Sequence, residues 1–99
     1  MAAPCPVLGF VVRMELASHL GADPRGELWG RLWDAWIVLL EGRGLSCGGG
    51  GGDVLEYVVT SDAAQATESD RAAVRDWLGA RDDLRAWSVG ELADLNDAL

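Results

Sequence analysis

No lysine occurs in this chain; all eight basic residues are arginine, set against sixteen acids for a formal charge of −8. The lysine gap reads as genomic codon bias rather than mechanism. The acidity argues against non-specific nucleic-acid binding, which depends on neutralising phosphates and releasing counterions, and DNA is not an expected partner. A local arginine patch against a structured RNA, or a basic protein partner, stays compatible with it. Histidine is nearly absent too, with His19 alone, and no serine or cysteine nucleophile has a recognisable motif around it. Only Cys5 and Cys47 carry thiols. They lie far apart with no CxxC pair, so a four-ligand zinc site is excluded and two free thiols in a reducing compartment are expected. No apolar run approaches the roughly 18–20 residues that span a bilayer, and no membrane contact is expected. Met1 to Val7 lacks the basic start and apolar stretch of a signal peptide, so a cytoplasmic protein is the expectation.

What is present suits one small α+β domain spanning residues 1–99, with an ordered core over about 8–92. Leu8 to Leu16 alternates: Leu8, Phe10, Val12, Met14 and Leu16 share one face, and Arg13 and Glu15 lie opposite, as in a half-buried strand. Asp23-Pro24 reads as a cap followed by a proline at the first helical position. The helix runs to about Glu41 on a stripe of Leu28, Trp29, Leu32, Trp33, Trp36, Ile37 and Leu40. Gly26 and Gly30 weaken it by about 1 kcal/mol each relative to alanine. Gly42 and Gly44 end it.

Leu45-Ser46-Cys47 is a short strand candidate, and Val54 to Thr60 a better one, with Leu55, Tyr57 and Val59 on one face. The glycines Gly48 to Gly52 between them predict a mobile hairpin tip. Thr67-Glu68-Ser69-Asp70 approaches a capping box and opens a second helix that buries Val74, Trp77 and Leu78. Leu84 to Val89 supplies a last strand, with Trp87 and Val89 towards the core. Glu91 to Leu99 follows as an acidic tail with room for one helical turn. The order β-α-β-β-α-β predicts a ferredoxin-like sandwich: a four-stranded antiparallel sheet with both helices on one face.

Motifs that suggest chemistry have plainer explanations. The glycine run lacks the Lys-Ser/Thr and the following helix of a phosphate loop, and a flexible turn explains it better. Of the five tryptophans, Trp29, Trp33, Trp36 and Trp77 fall on the buried sides of helices. The open sheet face carries Val11, Arg13, Glu15, Glu56 and Ser88, without the aromatic platform of single-strand RNA readers. Asp82-Asp83 and Asp94-Asp97 read as solvated helix ends rather than a catalytic or metal set. Arg71, Arg75, Arg81 and Arg85 remain. Local pairing with Glu68, Asp70, Asp76 and Asp82 outweighs a phosphate or carboxylate contact there. No catalytic residue, metal ligand or cofactor is expected, and an enzyme is the least favoured class.

The order of these residues resembles the YggL family of bacterial large-ribosomal-subunit-binding proteins. The matching positions are Leu8-Gly9-Phe10, Asp34-Ala35-Trp36-Ile37 with Glu41, Gly44-Leu45, and Glu56. They continue with Thr67-Glu68, Val74-Arg75-Asp76-Trp77-Leu78, then Glu91-Leu92 and Asp94. The resemblance runs from about Leu8 to Asp97. It departs from the family at the first strand, which here lacks the strongly basic extension that members can carry before it. Five glycines also stand where the family has a more ordered turn.

The resemblance implies a non-enzymatic, ribosome-associated protein that binds the large subunit through rRNA or a ribosomal protein and acts in subunit assembly. The matched positions Glu56, Arg75, Glu91 and Asp94, joined by Arg71 and Arg85 from the arginine set, are the candidate partner-binding residues. Trp77 is explained by the core. Two other readings stay open: an acidic module for a basic protein partner, and a small-ligand sensor that dimerises through its sheet.

Overall fold

The computed structural model describes residues 8–17, 26–51, 54–62 and 65–94. Its elements are β1 (Leu8–Leu16), α1 (Glu27–Gly42), β2 (Leu45–Gly51), β3 (Val54–Ser61), α2 (Glu68–Gly79), β4 (Leu84–Val89) and the two-residue β5 (Ala93–Asp94). The strands form one sheet in the order β2-β3-β1-β4, with β5 also pairing β1. Each pairing is antiparallel, so β1 and β2 run parallel with β3 between them. This is the expected α+β arrangement of ferredoxin-like type.

The alternation of β1 becomes burial directly. Phe10, Val12, Met14 and Leu16 are buried, and Val11 and Arg13 face outward. Pairing Met14 with Leu55, Val12 with Tyr57 and Phe10 with Val59 puts the inner residues of β3 on the same side. Leu32, Trp36 and Leu40 of α1 and Val74 and Leu78 of α2 join that one core. Both helices therefore cover a single sheet face. Each large side chain removed from water contributes about 1.5–3 kcal/mol before the entropy of ordering is subtracted.

The glycine run departs from expectation. Gly48 to Gly51 is strand, paired in unbroken register with Val58, Tyr57, Glu56 and Leu55. The mobile tip expected over Gly48–Gly52 is therefore corrected for Gly48–Gly51; Gly52 lies outside the described residues. The reason is steric. Gly49 and Gly51 have φ of 139° and 148°, and a Cβ at either would lie 2.1 Å from a β3 carbonyl oxygen, that of Glu56 or Val54. The absence of side chains lets this strand lie against β3, so glycine here serves pairing rather than freedom.

The helix ends refine three further expectations. Asp23 and Pro24 lie outside the described residues, as do Cys5 and His19. α1 starts after Gly26, which is the N-cap at φ 70° rather than an interior residue. Gly44, at φ 67°, closes the helix by donating to the Glu41 carbonyl at 3.1 Å. At α2 the capping box is complete: Thr67 accepts from the Asp70 amide, and the Asp70 carboxylate accepts from the Thr67 amide.

Trp87 faces the helix layer opposite Met14, but as part of an edge strand it stays 37% exposed. The acidic tail is not a helical turn over Ala93–Asp94. Those residues pair with Gly9 and Leu8, because the hydrogen-bonding edge of β1 extends past the end of β4.

Candidate functional site

The arginines separate into those spent on the fold and those left at the surface. Arg71 of α2 donates Nε to the Gly90 carbonyl at 2.7 Å and Nη1 to Glu68 at 2.6 Å. Its side chain is only 12% exposed. It thus joins α2 to the segment leaving β4, whose Gly90 amide donates to the Val11 carbonyl at 2.7 Å. Arg75, one turn along, is exposed and carries no ion pair among the described residues. Both arginines line an open depression of about 290 Å³ with Glu68, Ala72 and Asp76.

Two more arginines hold the helix layer. Arg43, just past α1, donates Nε to Asp70 at 3.0 Å and Nη2 to the Ser69 hydroxyl at 3.1 Å. Arg81 grips Asp83 through both ends of its fork, at 2.8 and 2.6 Å, and lies 4.7 Å from the centre of the Trp77 ring. The Asp83 hydrogen bonds push the Arg81 pKa further up and keep the guanidinium charged. Asp83 was not among the acids expected to pair with the arginines, and the Trp77 contact was not expected, although the i, i+4 spacing of Trp77 and Arg81 was its signal.

Across the uncovered sheet face the charges form a row of alternating sign. Glu56 on β3 meets Arg13 at 3.9 Å, Arg13 meets Glu15 at 3.4 Å, and Glu15 meets Arg85 of β4 at 3.4 Å. Such exposed pairs contribute at most about 1 kcal/mol each. Their effect is to cancel charge where Glu56 and Arg85 sit. Beside that row, Val11 and Val58 pair directly and are 45% and 40% exposed.

The six candidate partner residues thus fall into two groups. Arg71 and Arg75 lie on the outer side of α2, and Arg71 reaches the Gly90 carbonyl, immediately before Glu91; Asp94 follows in β5. Glu56 and Arg85 lie at the two ends of the charged row on the sheet. The structure does not gather all six into one site.

Within the core, Trp36 stacks obliquely between Tyr57 and Trp77, with centroids 6.0 and 5.5 Å away. Trp33 packs beside Tyr57 at 5.6 Å. Burial, with a smaller electrostatic contribution from Cys47, raises the Tyr57 phenol pKa above its ordinary value. A shallow cleft of about 210 Å³ opens between α1 and β2, lined by Trp33, Ile37, Leu40, Leu45 and Cys47 with Glu41 and Ser46 at its rim. It is smaller than the roughly 300–1,000 Å³ of ordinary ligand pockets. Among the described residues no group of three or more His, Cys, Asp or Glu side chains is placed to hold a metal, and no helix is long and apolar enough to cross a membrane.

No curated protein and no solved structure gives a match to the chain. The family described as YggL 50S ribosome-binding protein matches residues 6–96, from before β1 to beyond β5. That span takes in every element of the sheet and both helices, so the chain belongs to the YggL 50S ribosome-binding protein family.

Proposed function

We propose that the protein is a non-enzymatic accessory factor of the cytoplasm that binds the large (50S) ribosomal subunit and acts during its assembly. One observation carries the reading: the family match extends over residues 6–96. The chemistry of the described side chains agrees with a binding role. Arg43 joins the two helices through Asp70, Arg71 reaches the Gly90 carbonyl beyond β4, Arg81 is held by Asp83, and the sheet-face charges neutralise one another. Arg75 and the surface around it are left to meet a partner.

Co-sedimentation of tagged protein with purified large subunits, at low and at moderate salt, tests the binding. The protein is expected in the subunit pellet at low salt. Recovery only in the supernatant at both salts would sink the proposal. The assembly role has its own check: the protein should be enriched on immature large-subunit particles over mature ones, and equal occupancy of both would count against it.

A further inference from the structure

The two edges of the sheet are protected to different degrees. β4 presents Arg85 and Trp87, and its register with β1 shifts at Glu15/Leu16. Charge and irregularity of this kind keep stray strands from adding to an edge. β2, at the other edge, has neither. It reads Leu-Ser-Cys-Gly-Gly-Gly-Gly, without charge, proline or a break in its seven pairings with β3. No described residue pairs with its outer side.

The four glycines leave that edge bare on both faces. A Cβ at Gly48 or Gly50 would meet nothing within 4 Å. An incoming strand can therefore approach the backbone closely, and its alternate side chains would fall into two environments. One set lies over the apolar cleft of Trp33, Ile37, Leu40 and Cys47, with Glu41 at the rim. The other lies over the open face, where Glu56 stands opposite Gly50 and Asp62 accepts from Ser46 at the far end of the strand.

We infer that the outer edge of β2 binds an extended peptide segment by strand addition, in which apolar residues alternate with arginine or lysine. Charge selects that occupant. Glu41 and Asp62 flank the edge, and the chain as a whole carries −8. A second copy would set these acids against their own counterparts, and an RNA backbone would bring phosphates to them. The inference rests on the large-subunit reading above and narrows it at this edge: here the contact is with a basic segment of a large-subunit protein rather than with rRNA.

A photo-crosslinking residue placed at Ser46, in full-length protein bound to purified large subunits, tests this directly. The expected product is a cross-link to protein. Gly48→Arg, where the added side chain has room, should lower co-sedimentation by about tenfold or more, a change of roughly 1.4 kcal/mol. Glu41→Arg combined with Asp62→Arg should do the same without changing a residue of β2. The fold of each variant is checked by its thermal transition. Cross-links to rRNA alone, or folded variants that all bind as well as the parent, would overturn the inference and leave large-subunit binding standing. A parent protein that fails to co-sediment would remove both.

Discussion

Arg43 Nε lies 3.0 Å from Asp70 Oδ1, joining the end of α1 to the first turn of α2 across 27 residues of chain. The same carboxylate accepts from the Thr67 amide at 2.9 Å through its other oxygen. One side chain thus completes a helix cap and receives a bond that ties the end of α1 to the start of α2. Its position in the first turn also sets negative charge at the positive end of the α2 dipole.

Asp70→Ala is therefore expected to cost more than either partner's loss. Removing a cap costs about 0.5–2 kcal/mol, and a hydrogen bond to a charged group contributes about 1.5–3. A loss of about 2–3 kcal/mol is expected for Asp70→Ala and about 1 kcal/mol for Arg43→Ala. In a domain this small, each kcal/mol lowers the melting temperature by about 4–8 °C. Thermal unfolding of both variants and their combination measures it. Equal effects of the two single changes would refute the double role of Asp70.

The Thr67 end of this arrangement was legible in the sequence, and the Arg43 end was not. A capping box is local: Thr67 and Asp70 are three residues apart, and their chemistry follows from the unpaired amides of any helix start. The period-2 run of β1 and the apolar stripes of both helices are legible for the same reason. Arg43–Asp70, Arg71–Gly90 and the row Glu56–Arg13–Glu15–Arg85 depend on packing and register, which no short window contains. The glycine run misled because flexibility is a property of the isolated tract. Here β3 supplies a partner strand, and the missing Cβ atoms let the tract pair. β5 went unread because two residues carry no periodicity.

Two neighbouring glycines of β2 should respond oppositely to the same change. At Gly49 an added methyl would lie 2.1 Å from the Glu56 carbonyl oxygen, at φ 139°. Gly49→Ala is expected to cost about 2 kcal/mol or more and to part β2 from β3. At Gly48 the same methyl meets nothing within 4 Å, and Gly48→Ala should stay within about 0.5 kcal/mol of the parent. Unfolding curves give the energies, and amide exchange across Leu45–Gly51 shows whether the strand has come away. Indistinguishable variants would mean that the glycines are not held as strand.

Arg71 and Arg75 are one helical turn apart and should separate by assay. Arg71→Ala removes bonds to Glu68 and to the Gly90 carbonyl, so it should destabilise the fold by about 1–2 kcal/mol. Arg75 has no ion pair among the described residues, and Arg75→Ala should change stability by less than about 0.5 kcal/mol. If Arg75 meets the large subunit, its charge reversal to glutamate weakens co-sedimentation while the melting temperature holds. The reverse pattern, a stable Arg71 variant and an unstable Arg75 variant, would contradict these assignments.

Tyr57 gives the chain a dependence on alkaline pH. Its phenol is buried among Trp33, Trp36 and the inner face of β3, and burial is the larger cause of its raised pKa, with Cys47 second. Below the ordinary phenol pKa of 10.0 the group is neutral whether the chain is folded or unfolded, and ionisation takes nothing from stability. Above it the unfolded chain releases the proton while the folded chain resists, so the unfolded state binds fewer protons and stability falls as pH rises. The contribution is fully present below pH 10.0 and is lost as pH climbs through the higher folded value. Denaturant unfolding from neutral pH into the alkaline range should show this decline. Tyr57→Phe keeps the ring against Trp36 and removes the ionisable group, so its stability should fall less steeply above pH 10 than the parent's. Parallel curves for the two proteins would place the alkaline sensitivity elsewhere in the chain.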